Sequence, residues 1–379
     1  MSKLLTVYND INPLNNAVVA LSIQAEKVIF VHHGDIPKKD TDHIRKVLNK
    51  YLNANISFVR LLNDREQIEQ IIENNDDLIV DIGGARYLSL LVFEIATEKG
   101  NQVVYYDNRE NCIKDYRAHS VLMEKAFSLQ IEDVINLGGG NVVKCMHKAA
   151  EGKRSRETII RLVESNLKDY AGFVRYITKL NSIANESPYL GNNTYKVSEE
   201  NRNYLITNAM YQTKEDLFIF DKNGNLRFKN GKLREMVSVS GSFLENYLYI
   251  KLTESGKFDD VMMSVVIDFS NGNYKYPICC EIDALIIKDN RLLFVSCKSS
   301  KASADDLNEI YVHNRYFGNI LSLPVLCVLE EMDLKNPGIY AKGEELGVYL
   351  VDRSSFTEND ISEVFASILD GTYTYDEVL

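Results

Sequence analysis

Two acidic residues and a lysine stand at usable spacings in the stretch Cys280-Glu281-Ile282-Asp283-Ala284-Leu285-Ile286-Ile287, Lys288-Asp289-Asn290-Arg291, Leu292-Leu293-Phe294-Val295-Ser296-Cys297-Lys298. Two apolar, β-branched runs around a polar Asp289-Asn290 turn predict a β-hairpin. Residues i and i+2 of a strand share a face, so Glu281 and Asp283 project together, as do Ser296 and Lys298 on the partner strand. Unpaired charges among apolar neighbours are unfavourable, by roughly several kcal/mol per group. A divalent cation relieves that crowding, and clustered oxygens suit Mg²⁺ or Mn²⁺. Lys298 is then placed to orient a water or to steady the negative charge that develops when a phosphodiester is hydrolysed. The same spacing also describes an amphipathic hairpin with a solvated charged face.

The order Asp283, strand, turn, strand, Ser296-Cys297-Lys298 resembles the PD-(D/E)xK core of restriction-endonuclease-like nucleases. That family has an acidic residue on an upstream helix, and Gly241-Ser242-Phe243-Leu244-Glu245 supplies one, with Ser and Gly marking the helix start and Glu245 in its first turn. The resemblance implies Asp283 as central metal ligand and Lys298 as the water-orienting or charge-stabilising residue. It further implies Glu245 as a direct or water-mediated ligand and the Cys297 backbone carbonyl as another, with Mn²⁺ or Mg²⁺ as the metal. Glu281 serves either the metal or a neighbouring base. The chain departs from the pattern at Ser296, where the family has Asp or Glu two residues before the lysine. Glu281, Glu245 or the Cys297 carbonyl would complete the shell; the alternative is a sensor or regulator that keeps the nuclease fold without the chemistry.

These residues need a scaffold, and the chain is long enough to build one. A length of 379 residues suggests two or three domains, and 45% hydrophobic with 26% charged residues describes a soluble globular protein. No apolar run reaches the length of a membrane span, and the start passes directly into polar Asn9 and Asp10, so no membrane partner and a cytoplasmic location are expected. The six cysteines form no C-x-x-C pair, and three of them lie inside apolar strands, where cysteine is usually a small buried hydrophobe. His32-His33 lacks a third ligand at metal-binding spacing and reads as structural or ligand-facing. A net charge of −11 argues against a generic nucleic-acid coat, although metal ions and a local basic groove can still neutralise phosphate.

The first 120 residues alternate strand and helix: strands at 4–8, 27–31, 56–61, 78–81 and 102–106, with helices between. Such alternation implies a parallel, doubly wound sheet, in which ligands sit beyond the carboxyl ends of the strands. After the first strand come Asn9, Asp10 and Asn12, entering a helix at Pro13. After the fourth come Gly83, Gly84, Ala85 and Arg86, where glycines let backbone N–H groups approach a ligand and Arg86 suits phosphate. The plainer reading of the glycines is a turn that needs their backbone angles. No G-x-G-x-x-G follows the first strand, which excludes the NAD or FAD fingerprint.

This half resembles a CARF domain, the cyclic-oligoadenylate sensor of type III CRISPR systems, whose nuclease-fused members carry a Thr-Gly-Gly-Thr-Lys-like turn after the fourth strand. Ile82-Gly83-Gly84-Ala85-Arg86 is similar in position, glycines and terminal base, with both threonines replaced. From Ser120 to about Leu180 the pattern reads as helical, with a basic patch at Lys153-Arg154-Ser155-Arg156; residues 185–198 read as a loop and 217–228 as a hairpin. The expected fold is α/β: a Rossmann-like CARF domain at 1–145, a helical connector at 146–200 and a restriction-endonuclease-like domain at 201–379. The two resemblances imply a cyclic-oligoadenylate-activated nuclease of type III CRISPR defence, acting on DNA and/or RNA as a homodimer, with cyclic tetra-adenylate the favoured activator. A ring nuclease that degrades its own cyclic nucleotide is a further alternative.

Overall fold

The computed structural model describes residues 2–9, 13–84, 86–146, 153–212, 217–239, 241–268, 279–299, 302–318, 321–329 and 337–373. In chain order the first half holds β1 (Lys3–Val7), α1 (Leu14–Ser22), β2 (Lys27–His32), α2 (Lys38–Tyr51), β3 (Asn55–Arg60), α3 (Asp64–Glu73), β4 (Leu78–Asp81), α4 (Arg86–Glu98), β5 (Gln102–Asp107), β6 (Cys112–Asp115) and β7 (Ser120–Met123). Then follow α5 (Ile131–Leu137), β8 (Asn141–Met146), α6 (Lys153–Asn166), α7 (Tyr170–Glu186), β9 (Tyr189–Gly191), β10 (Thr194–Tyr195), α8 (Glu199–Thr207), β11 (Phe218–Phe220) and β12 (Leu226–Phe228). The last part holds α9 (Gly231–Ser238), α10 (Ser242–Ser255), β13 (Asp260–Asp268), β14 (Cys279–Lys288), β15 (Arg291–Lys298), α11 (Ala304–Phe317), β16 (Leu323–Val328), α12 (Pro337–Leu346), β17 (Tyr349–Val351), α13 (Arg353–Glu358) and α14 (Ile361–Asp370).

The first sheet runs β3-β2-β1-β4-β5-β6-β7, parallel through β5 and antiparallel beyond. Its inner strands are continuous apolar runs because helices cover both faces: Leu4, Val28 and Phe30 belong to one core cluster, and Leu5, Ile29 and Val80 to another. Strand order reverses between β1 and β4, so the crevice at their carboxyl ends is a topological switch point.

A four-stranded sheet, β11-β12-β10-β9, and a six-stranded sheet, β17-β16-β15-β14-β13-β8, follow. Three local expectations change. Residues 120–123 and 141–146 are strands rather than helix, and part of the stretch expected as a loop at 185–198 pairs as the β9-β10 hairpin. β8 crosses into the second half of the molecule, pairing antiparallel with β13. Its Val142 and Val143 are apolar enough to extend an edge that would otherwise end at β13.

The six-stranded sheet is buried on both faces. Ala284, Ile286, Leu293 and Val295 join α6, α7, α10 and α14 in one core; Leu285, Ile287, Leu292 and Phe294 join the core shared with β1, α1 and α2. The β14-β15 turn is buried too. Asn290 is fully enclosed, donating to the Phe127 carbonyl at 2.9 Å and accepting from the Leu129 N–H at 2.9 Å, while Asn111 donates to Asp289 Oδ1 at 2.7 Å. Both turn residues have positive φ, as a two-residue hairpin turn requires and as Asp and Asn tolerate.

Candidate active site

The six-stranded sheet forks where the charges lie. β14 and β15 pair from Lys288↔Arg291 only as far as Ala284↔Val295. Beyond that point β14 stays with β13, through Ile282↔Val265 and Glu281↔Val266. β15 stays with β16, through Ser296↔Leu326, Cys297↔Cys327 and Lys298↔Val328. The Cys297 N–H is therefore released from the β14 ladder and donates instead to Asp283 Oδ2 at 2.7 Å, with Ser296 Oγ adding a longer contact at 3.4 Å. A bond from a backbone N–H to a carboxylate is charge-assisted, so the fork itself fixes the Asp283 side chain.

Glu245 enters from α10. That helix starts at Gly241, whose φ of +87° suits glycine, and a Cβ there would stand 3.3 Å from Glu245 Oε1. Burial, then the charge of Asp283, push the Glu245 carboxyl up to about 7, against the opposing pull of the Ser264 hydroxyl, which donates to it at 3.2 Å. Ser264 sits at φ +48° on β13, where the register against β8 shifts; local strain of this kind aims a side chain and gathers at functional sites. Burial also raises the Asp283 carboxyl, partly offset by the Cys297 N–H, Lys298 and Ser296.

Lys298 turns toward α11. Its Nζ lies 3.2 Å from Asp306 Oδ1 and 3.6 Å from Glu309 Oε2. Burial works against its charge, but Asp306 and Glu309 outweigh it, so the ammonium is held more firmly than usual. Glu281, Asp283, Ser296, Lys298, Glu309 and His313 share the lining of a cavity of about 50 Å³ in the fork. Sequence reading brought Glu281, Asp283, Ser296 and Lys298 to one place, and the structure puts them there. It did not single out Ser264, Asp306, Glu309 or His313. The spacing of 306, 309 and 313 on a helix just after Lys298 was the available signal, because positions three and four apart share a face; Ser264 gave none.

The donors are oxygens of the kind that Mg²⁺ and Mn²⁺ prefer, and among them the charge of Asp283 adds to the cost of ionising the half-buried Glu245. Among the described residues, no three His, Cys, Asp or Glu side chains already surround one point. The fit is one of donor type: half-buried carboxylates such as Asp283 and Glu245 would be stabilised by a divalent cation.

A stability test follows from the Glu245 environment. Its folded value of about 7 lies above the ordinary 4.5, so its contribution is fully present below about pH 4.5 and is lost as pH rises through 7. Glu245→Gln keeps the uncharged form at every pH. The metal-free variant is expected to be more stable than wild type above neutrality, on the order of 1–3 kcal/mol. Thermal unfolding across pH measures this, and parallel profiles for the two proteins would refute it.

At the other end of the molecule, Thr6↔Asp81 pairs across the switch point. Asp81 is fully buried and accepts from Thr6 Oγ1 at 2.6 Å, Asn16 Nδ2 at 3.1 Å and the Gly83 N–H at 3.0 Å; burial raises its carboxyl and these bonds partly restrain it. Neither Gly83 nor Gly84 has positive φ, so turn angles do not explain the glycines. Close approach does for Gly84: a Cβ there would lie 2.1 Å from the Val7 carbonyl oxygen. Asn9 lies just past β1 and is partly exposed, and Arg86 opens α4. Asp10, Asn12 and Ala85 fall outside the described residues. His33 pairs with Asp64 at 2.8 Å and stacks on Tyr87 at 6.5 Å, a structural and surface role rather than a metal site.

The fork, the helix-borne acid and the lysine lie within one matched segment. Residues 234–318 match the family of Card1-like endonuclease domains. The Card1-like segment runs from α9 through α11 and so takes in Glu245, Asp283, Lys298, Glu309 and His313. Two solved structures share the fold over nearly the whole chain. Protein VC1899 from Vibrio cholerae matches at 14% identity with a TM-score of 0.78, covering 98% of this chain and 99% of its own. Can2 from Sulfobacillus thermosulfidooxidans, solved in complex with cyclic tetra-adenylate, matches at 14% identity with a TM-score of 0.70, covering 96% and 99%. No curated protein matches the sequence significantly. The expected α/β architecture holds, and the nuclease resemblance holds over the Card1-like segment. No helix among the described residues is long and apolar enough to cross a membrane.

Proposed function

We propose that the protein is a metal-dependent nuclease of type III CRISPR defence, switched on by a cyclic oligoadenylate. The fork between β14 and β15 carries this reading: it holds Asp283 by a backbone N–H near a second half-buried acid, Glu245, and Lys298, inside the Card1-like segment. Asp283, Glu245 and the Cys297 carbonyl would hold Mn²⁺ or Mg²⁺. Such an ion lowers the pKa of a bound water and offsets charge on a phosphodiester oxygen. Lys298, kept charged by α11 and partly buried, steadies developing negative charge. The substrate is DNA and/or RNA.

The ligand end rests on the switch point. The Gly83-Gly84 turn, its Gly83 N–H already held by Asp81, leads into the start of α4, a setting for phosphate, and Asn9, Asp10, Asn12, Ala85 and Arg86 are our candidates for the rest of the pocket. Cyclic tetra-adenylate is the favoured ring, bound across two chains. Leu62, Tyr87 and Leu90 are at least two-thirds exposed at this end and would be covered by a second copy. Activation has a physical route, because the hairpin that carries Asp283 has its tip locked into residues 111–129 of the first half. The division at 1–145, 146–200 and 201–379 remains our assignment of sensor, connector and nuclease, with β8 tying the first to the last.

Purified protein incubated with Mn²⁺, plasmid, single-stranded DNA and RNA, with and without cyclic tetra- or hexa-adenylate, tests this directly. Cleavage that depends on one ring supports the whole reading. Ring binding without cleavage would favour the inactive-sensor alternative, for which Ser296 is the specific observation. Arg86→Glu is expected to weaken ring affinity by about 10-fold or more through charge reversal; equal affinity by calorimetry would place the pocket elsewhere.

A further inference from the structure

The PD-(D/E)xK resemblance leaves the site short of a carboxylate at Ser296, and α11 brings one to the same cavity. Asp306 and Glu309 both reach Lys298, yet they are not equivalent. Asp306 is committed to the start of α11: it accepts from the Ser303 N–H at 2.8 Å and Ser303 Oγ at 2.5 Å in a capping box, and its side chain is 20% exposed. Glu309, one turn on, is 56% exposed and stands 3.6 Å from Lys298 Nζ, beyond hydrogen-bonding distance. Its side chain lines the cavity with Asp283 and Ser296, and staggered alternatives about its aliphatic torsions can sweep the carboxylate across that small space.

We propose that Glu309 supplies the carboxylate that Ser296 lacks, so that a divalent cation held by Asp283 is completed from α11 rather than from β15. This rests on the metal-dependent reading given above. Several features favour the assignment. Exchange of an acid for Ser296 on β15 removes one carboxylate donor from the fork, and Glu309 returns one, an oxygen ligand of the kind a hard dication prefers. Departure of Glu309 toward the metal leaves Lys298 paired with the fixed Asp306, so the ammonium keeps its place. Glu309 also lies within the Card1-like segment rather than on an unrelated element.

Mn²⁺ binding to the full-length, metal-free protein, followed by calorimetry and by the loss of the free-ion paramagnetic signal, tests the assignment apart from activity. Four proteins suffice: wild type, Asp283→Asn, Glu309→Gln, and Glu309→Gln combined with Ser296→Glu. Wild type is expected to bind, Asp283→Asn to lose the site, and Glu309→Gln to weaken affinity by about 10–100-fold. Returning an acid to position 296 is expected to restore most of that loss. Wild-type affinity in Glu309→Gln would overturn the proposal while leaving the metal site standing. Weakened affinity that Ser296→Glu does not restore would make Glu309 a positioning residue for Lys298 and equally overturn it. Absence of Asp283-dependent binding in wild type would instead bring down the metal-site reading, and this proposal with it.

Discussion

Asp283→Asn is expected to lower metal-dependent cleavage by about 10²–10³-fold or more while leaving the fold and ring binding intact. The asparagine keeps an oxygen that can accept from the Cys297 N–H, so the released backbone donor at the fork stays satisfied. What it removes is the charge. Asp283→Ala would mix two effects, since it also strands that N–H, which costs about 1–3 kcal/mol for a buried donor. Burial already raises the Asp283 carboxyl, so loss of its charge relieves the metal-free protein rather than harming it. Lys298→Ala is expected to lose cleavage to a similar degree, with Asp306 and Glu309 left facing each other. Initial rates on a labelled strand at saturating Mn²⁺, alongside thermal melts, make the comparison. Wild-type rates in both variants would remove the fork as the reaction site.

The second large effect is expected at the opposite end. Gly84→Ala places a Cβ 2.1 Å from the Val7 carbonyl oxygen and 2.5 Å from the Val7 Cβ. Backbone oxygen cannot rotate away, so either β1 or the turn after β4 must move, at about 2–4 kcal/mol. Thr6 and Asp81 bond across the same pair of strands, and Asn16 ties both to the Val7 carbonyl at 3.1 Å, so the displacement reaches the whole switch point. Gly83→Ala provides the contrast: its nearest contact is the Asp81 carboxylate at 3.2 Å, so a far smaller adjustment makes room for the methyl group. We expect Gly84→Ala to lower the melting temperature and abolish ring binding, and Gly83→Ala to do far less. Matching melts for the two would mean that the turn is not pinned against β1 as described.

These experiments bear on one physical arrangement. The β14-β15 hairpin joins the two halves of the chain, with Asn290 at its tip bonded to residues 127 and 129 and Asp283 at the fork. Asn290 is buried among Asn111, Phe127 and Leu129, which ties the hairpin tip to that region of the first half. Coupling by this route needs two positions of the hairpin that the ring distinguishes.

Much of this molecule was legible in the sequence because period and punctuation are local properties. Continuous apolar runs separated by helical spacing gave the parallel sheet and the places of its strand ends; two apolar, β-branched runs around the polar Asp289-Asn290 turn gave the hairpin. The i, i+2 rule put Glu281 beside Asp283 and Ser296 beside Lys298, and the Gly-Ser start put Glu245 in the first turn of α10. Tertiary structure alone decided what those groups touch. Strand pairing stops at Ala284↔Val295 because β14 and β15 have different outer partners, and only that divergence turns the Cys297 N–H toward Asp283. Likewise, a turn of Asp and Asn looks solvent-facing until another part of the chain supplies its hydrogen bonds, as residues 111–129 do here. Gly84 looked like a turn glycine and is a packing glycine, since the crowding atom belongs to Val7 on a different strand. Glu309 and Ser264 reach the site through a helix laid across the sheet and a bulge within it. Local sequence encodes which face a residue takes along its own element; it does not encode the distance between elements, and the chemistry of this site lies in those distances.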